Sequence, residues 1–358
     1  MINYNYEGVI KRYEKYLPVN KKTPCITLLE GNTPLLFSYK LSKLLGNNFK
    51  VYLKYEGTNP TGSFKDRGMT VAVSKAKEEN HKAVICASTG NTSASAAAYS
   101  AKANIKCIVI IPEKAIALGK LAQALIYNAK VIAIKGNFDD SLEIVKEIAK
   151  KYPIQIVNSI NPYRIEGQKT AAFEICDFLN TSVDFHILPV GNAGNITAYW
   201  KGYKEYYGLK KIDRLPKMIG FQAKNSAPIV LGHPIKKPKT IATAIRIGNP
   251  ASWKKAIEAK EESGGLIDFV SDENILFAYK YLAKEEGIFV EPASAASVAG
   301  LFKLIKKNYF KKFKEKKQII VCTLTGSGLK DPKIAIKNVK YPDIVEANLN
   351  KVLKFIDI

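Results

Sequence analysis

The sequence predicts an α/β protein of two lobes, each an open, mostly parallel twisted sheet flanked by helices. Three observations predict it. Short β-branched runs alternate with helical stretches of about 12 to 15 residues, the pattern of βαβ units. Several of these runs end in a Gly-containing turn that leads into a helix, as at residues 88–93 and 191–195. The chain of 358 residues is long enough for two sizeable cores.

In chain order, residues 1–50 are rich in Tyr and Lys, with Gly31-Asn32-Thr33-Pro34-Leu35 as a turn into an apolar segment. The apolar run 51–55 follows. Strands are then expected at 83–87, 106–111, 131–134 and 154–157, alternating with helices. A second series has a helix opening near Pro162, a strand at 184–190, a Gly loop, a helix and a strand at 218–223. The Pro-containing polar segment 225–239 reads as a long loop. Further strands are expected at 266–270, 288–290 and 318–324, with a helix from Ser271 stopped by Gly287 between the first two. No repeat of fixed period appears. The expected division is a large domain made of 1–66 and 156–358, with a small α/β domain, 67–155, inserted in it.

With 47% hydrophobic and 24% charged residues, the composition is that of a soluble globular protein. No apolar run approaches the ~18 residues of a membrane span, and the start lacks the layout of a signal peptide. A cytoplasmic enzyme is expected, with no membrane partner. Cys25, Cys86, Cys107, Cys176 and Cys322 are odd in number and lack C-x-x-C spacing, so reduced thiols are expected. His81, His186 and His233 have no ligand-spaced neighbours, and no metal is expected. The formal charge of +23 comes almost wholly from lysine. Base readout leans on arginine, and the only arginines are Arg12, Arg67, Arg164, Arg214 and Arg246. A nucleic-acid role is disfavoured on that ground, and the dense run 303–317 reads as a solvated helix face.

The most informative stretch is Thr61-Gly62-Ser63-Phe64-Lys65-Asp66-Arg67-Gly68. Pro60 and Gly62 close a loop after 51–55, and Ser63 with Asp66 forms a capping-box pattern that opens a helix. Lys65 then lies in the first helical turn, where the macrodipole disfavours an ammonium by roughly 0.3 to 1 kcal/mol. A lysine whose proton is weakly held is a candidate Schiff-base residue. A solvated surface lysine is the alternative.

Three turns combine a strand end with a helix start, where unpaired backbone N–H groups attract anions. Ser88-Thr89-Gly90-Asn91-Thr92-Ser93 suits a carboxylate, or simply caps its helix. Gly191-Asn192-Ala193-Gly194-Asn195 can curl around a phosphate, or be a tight turn without a ligand. It has neither P-loop nor G-x-G-x-x-G spacing. Thr325-Gly326-Ser327-Gly328 closes the strand at 318–324. A reactive lysine with a phosphate cradle points to an aldehyde that carries a phosphate, and pyridoxal phosphate is the obvious one.

Residues 59–67, Asn-Pro-Thr-Gly-Ser-Phe-Lys-Asp-Arg, resemble the cofactor-lysine segment of fold-type II pyridoxal phosphate enzymes, whose lobes are tryptophan synthase β-like. With residues 31–35, 88–93, 191–195 and 324–332, the set closely resembles the threonine synthase family, in the family's order and over most of the chain. The resemblance implies that Lys65 carries the cofactor and moves protons at Cα and Cβ. Asn91 would donate to the cofactor phenolate, the backbone of Gly191, Asn192, Ala193, Gly194 and Asn195 would hold its phosphate, and Thr325 would meet the pyridine nitrogen. A hydroxyl there would leave that nitrogen largely unprotonated. The implied substrate is O-phosphohomoserine, a small molecule converted by γ-elimination of phosphate and addition of water at Cβ to threonine. Its carboxylate would meet Thr89 and Thr92, and its phosphate Ser159 and Arg164. A structural pair of Arg164 with Glu166 or Glu174 is the alternative. The family implies a homodimer.

The nearest rival is a threonine or serine dehydratase. That group resembles a tetraglycine phosphate loop, often with His after the turn's asparagine, where this chain has Gly-Asn-Ala-Gly-Asn and Thr92. A cysteine synthase would carry a Gly-Thr-Gly-Gly-Thr type of loop.

Overall fold

The computed structural model describes residues 6–115, 118–136, 138–340 and 342–356. Among the described residues, ten strands form two sheets. The first has β1 (Leu35–Ser38), β2 (Phe49–Tyr55), β7 (Phe185–Pro189), β8 (Lys217–Ala223), β9 (Leu266–Val270) and β10 (Gln318–Leu324), in the order β1-β2-β10-β7-β8-β9. Only the β1/β2 pair is antiparallel. The second has β3 (Ala83–Ala87), β4 (Lys106–Pro112), β5 (Lys130–Ile134) and β6 (Ile154–Ile156), all parallel, in the order β5-β4-β3-β6.

β3, β7 and β10 are apolar along nearly their whole length because parallel strands are covered on both faces. Helices Pro292–Lys306 and Asp272–Glu285 cover one face of the large sheet, with Val298, Leu301 and Leu282 in its core. Pro162–Leu179 and Gly194–Gly208 cover the other, through Phe173, Ile175, Ile196 and Tyr203. Helix Asn91–Ala103 lies on the small sheet, and its alanines let it approach β3 and β4 closely. No helix among the described residues is long and apolar enough to cross a membrane.

The predicted α/β class is observed, and its exceptions are local. Residues 288–290 do not form a strand: Val290 makes a single antiparallel bridge to Ser327, because the following Glu291-Pro292 starts a helix at once. The loop at 225–239 contains a one-turn helix, Pro228–Leu231. Residues 303–317 are not one solvated helix. The helix ends at Lys306, Asn308 is left-handed with φ 54°, and a 3₁₀ segment, Tyr309–Phe313, seats Phe310 in the core.

The arrangement that matters most for the site is the crossing of helices Lys65–Glu78 and Pro162–Leu179. A β-carbon on Gly167 would lie 1.9 Å from the Arg67 carbonyl, and one on Gly68 would lie 2.6 Å from the Arg164 carbonyl. Only two glycines allow backbones this close, and the crossing brings the first turn of each helix together.

Candidate active site

Lys65 is fixed by the strands beneath it. β2 and β10 run parallel with Tyr55 opposite Leu324, so the lysine loop and the Thr325 turn leave from adjacent strand ends. The Phe64 N–H donates to the Thr325 carbonyl at 3.0 Å, Ser63 bridges Gly326, and the Ser327 N–H donates to Gly62 at 2.9 Å. The expected Ser63 capping box is not formed. Helix Lys65–Glu78 has Phe64 at its N-cap, and the Ser63 hydroxyl is buried with no hydrogen-bond partner among the described residues. Asp66 instead accepts from the Thr61 N–H at 2.7 Å, the Thr61 hydroxyl at 2.6 Å and the Ser95 hydroxyl at 2.6 Å, tying the loop to helix Asn91–Ala103. The backbone turn already satisfies this stretch, since the Asp66 N–H donates to the Ser63 carbonyl.

The residue after Asp66 anchors the loop from below. Arg67 is fully buried between two carboxylates. It donates to Glu56 through Nε at 2.7 Å and Nη2 at 2.9 Å, and to Glu174 through Nη1 and Nη2, each at 2.7 Å. Lys54 Nζ adds 2.9 Å to Glu174. Burial alone would raise the Glu174 carboxyl, but Arg67 and Lys54 overcome it and hold that group well below the usual carboxylate range.

Lys65 itself is a poor ammonium. Burial first, and then the nearby charge of Arg164, push its pKa down to about 7, against a smaller opposing pull from Glu291. The cause is therefore desolvation and a like charge rather than the helix dipole alone. Its Nζ lies over the Phe64 ring at 4.3 Å from the centroid.

Arg164 stands in the first turn of helix Pro162–Leu179, and none of its surface is exposed. Nη1 donates to the Val157 carbonyl at 2.8 Å, while Nε and Nη2 are buried with no hydrogen-bond partner among the described residues. The alternative of a structural ion pair is not realised. Glu166 pairs with Lys169 and Lys201, and Glu174 with Arg67 and Lys54. Burial lowers the Arg164 pKa to about 10, with Cys86 and Asp66 opposing.

The Gly191–Asn195 turn leaves the end of β7. Ala193 is left-handed with φ 64°, and helix Gly194–Gly208 starts immediately. Among the described residues, the backbone N–H groups of 191 to 195 have no protein acceptor, and Asn195 Nδ2 is buried without a partner. A β-carbon on Gly194 would sit 3.8 Å from Ser159 Cβ and 3.6 Å from Ile165 Cδ1, which places this cradle beside the Arg164 turn. The donors fit a phosphate group: a nest of free N–H groups at the positive end of a helix.

Asn91 opens helix Asn91–Ala103 and donates Nδ2 to Glu291 at 3.0 and 3.2 Å. Thr325 donates its hydroxyl to the same carboxylate at 3.2 Å and contacts the Ser294 hydroxyl at 3.0 Å. Thr89 and Thr92 flank Asn91, half-buried, with hydroxyls bonded to no described residue. The structure thus links Lys65 to the charges of Arg164 and Glu291, and Glu291 in turn to Asn91 and Thr325, with Ser159 next to the glycine cradle. Sequence reasoning missed Glu291. Its signal is an acid immediately before a Pro-started helix in an otherwise apolar stretch, Ile288-Phe289-Val290-Glu291-Pro292-Ala293.

Residues 26–326 match the model of the family described as pyridoxal-phosphate dependent enzyme. The threonine synthase of Bacillus sp. (strain ULM1) is 60% identical over 333 residues, 93% of either chain. That of Methanocaldococcus jannaschii is 55% identical over 352 residues, covering 96% of this chain and 85% of the relative. The chain belongs to the pyridoxal-phosphate dependent enzymes and, among them, to the threonine synthases. Solved structures show the same fold. Maize serine racemase superposes with a TM-score of 0.71 at 19% identity, over 92% of this chain and 94% of the other. O-Acetyl serine sulfhydrylase isoform 3 of Entamoeba histolytica gives 0.73 at 19% identity, over 96% and 95%. The fold type, cofactor and lyase activity implied by the five sequence segments hold.

Proposed function

We propose that this chain converts O-phosphohomoserine and water to threonine and phosphate, with pyridoxal phosphate held by Lys65, Asn91, the Gly191–Asn195 turn and Thr325. The observation that carries the substrate is Arg164: a fully buried guanidinium, near the lysine, with two nitrogen atoms unpartnered and no paired carboxylate among the described residues. A buried cation left in this state calls for an anion. A substrate phosphate beside Ser159 answers that need, while the glycine cradle takes the cofactor's own phosphate.

When bound, the cofactor supplies an aldehyde for the substrate amine and a ring that accepts electron density from Cα and Cβ. The chain supplies the rest. Lys65, its pKa lowered to about 7 so that a substantial share of the amine is uncharged at neutral pH, takes protons from Cα and Cβ and returns them. Arg164 and Ser159 hold the phosphate as the Cγ–O bond breaks and the electron pair leaves with it. Cγ gains a proton to become a methyl group, Cβ takes the hydroxyl of water, and Cα regains its proton. Thr89 and Thr92 hold the carboxylate, which fixes the Cα–H bond relative to Lys65.

We assign the two sheets to two lobes with the cleft between them, and place the enzyme in the cytoplasm, a reading supported by five free cysteines. A homodimer is supported by the edge strand β1, where Leu36 and Phe37 are exposed, followed by exposed Tyr39. The test is incubation of cofactor-loaded protein with O-phosphohomoserine, followed by amino-acid and phosphate analysis. Threonine with equimolar phosphate supports the proposal. Production of 2-oxobutyrate from threonine, with no phosphate released from O-phosphohomoserine, would make the chain a dehydratase.

A further inference from the structure

Glu291 lies between two residues proposed to contact the cofactor ring. It is the N-cap of helix Pro292–Lys306, 4% exposed, with its N–H bonded to the Gly326 carbonyl at 3.0 Å. Its carboxylate accepts from Asn91 Nδ2 and from the Thr325 hydroxyl. Burial raises the Glu291 carboxyl, while the hydrogen bonds from Asn91 and Thr325 and the charges of Lys330, from the turn after β10, and Lys65 favour its ionised form. Lys330 Nζ is itself held by the Thr61 carbonyl at 3.0 Å and by the Gln123 side chain.

An ionised carboxylate only accepts hydrogen bonds, whereas a carboxamide has an accepting oxygen and a donating nitrogen. Facing Glu291, Asn91 must therefore turn its NH₂ inward. One hydrogen goes to the carboxylate, and the second is left for another acceptor. Without the acid, the two orientations of the amide differ little, and a flipped Asn91 would set its oxygen against the cofactor's phenolate.

We propose that Glu291 is a positioning residue, resting on the reading that Lys65 carries the cofactor: it holds the Asn91 NH₂ toward the phenolate oxygen. Glu291 acts through Asn91, so removing either should have much the same effect as removing both. The test is a double-mutant cycle on pyridoxal phosphate binding and the visible band, with Glu291→Gln, Asn91→Ala and the double variant.

Each single change is expected to raise the cofactor dissociation constant about tenfold, and the double variant to be no worse than Asn91→Ala. The band of Glu291→Gln should move toward that of Asn91→Ala. Effects that multiply in the double variant, or an unchanged constant and band in Glu291→Gln, would overturn the proposal. Where Glu291→Gln fails to fold, Glu291→Asp serves in the same cycle. Its shorter carboxylate should loosen binding in the same non-additive way, and additivity there would overturn the proposal equally. Borohydride reduction of the wild type, followed by mass mapping, separates the premise: a wild type without a Lys65 adduct removes the cofactor reading itself.

Discussion

Arg164 donates one nitrogen to the carbonyl of Val157, at 2.8 Å, and leaves two others buried with no acceptor among the described residues. The backbone contact fixes the guanidinium plane without neutralising it. Such a group destabilises the free protein and binds an anion well, so stability and substrate use should respond in opposite directions to its removal. In cofactor-loaded enzyme, Arg164→Met should melt at or above the wild-type temperature, because an apolar side chain of similar length replaces an uncompensated charge. Saturating inorganic phosphate should stabilise the wild type by about 2.7 kcal/mol at one hundred times its Kd, and leave Arg164→Met unmoved. For catalysis, Arg164→Ala should lower kcat/KM for O-phosphohomoserine about a hundredfold or more, with cofactor affinity nearly unchanged. Equal loss of both would make Arg164 structural.

The depressed Lys65 pKa predicts how the apo protein captures its cofactor. Only the free amine attacks an aldehyde, so the second-order rate should rise with pH through a midpoint at about 7, not near the ordinary lysine value, and level off above it. Stopped-flow absorbance checks this. Because Arg164 is one of the two causes, Arg164→Met should move the midpoint upward. An unchanged midpoint would leave burial as the whole explanation.

The Arg67 cluster predicts a large stability effect away from the chemistry. Arg67→Ala would leave Glu56 and Glu174 buried around a void, at a cost of about 3–5 kcal/mol, measurable by denaturant unfolding. Arg67→Lys should recover only part of it, since an ammonium cannot make the two forked contacts at once.

His186 predicts acid sensitivity. Burial between Tyr203, at 2.7 Å, and Thr323, at 2.8 Å, lowers its pKa to about 3. The unfolded chain takes up a proton below about 6.5 while the folded one does not, so stability is fully present above that pH. It falls by about 1.4 kcal/mol per unit as pH drops from there toward the folded value. His186→Gln should flatten that slope in urea titrations at pH 4 to 6. A slope unchanged by the substitution would show that other groups set it.

Much of this was legible in the sequence for identifiable reasons. β3, β7 and β10 are continuous apolar runs bounded by turn residues, and their ends carry the three turns singled out from sequence. Lys65 stood out because a strand, a loop and a helix start are all local patterns. What stayed hidden depends on contacts distant in sequence. Nothing near Ser63 says that Asp66 will bond Thr61 and Ser95 instead. The approach of Gly68 to Arg164 joins residues almost a hundred positions apart. Glu291 meets Asn91 across 200 residues, and a single acid before a proline looks like any helix cap. The missing strand at 288–290 shows the same limit, since Ile288 and Val290 pack into a core while the segment makes only the single bridge to Ser327.

The central claim is that phosphate leaves Cγ with its bridging oxygen and that water adds at Cβ. The most direct measurement is turnover of O-phosphohomoserine in heavy-oxygen water, with mass analysis of both products. The account predicts threonine labelled in its hydroxyl group and phosphate, in equal amount, without label. Homoserine together with labelled phosphate would mean simple hydrolysis at phosphorus, and would contradict it.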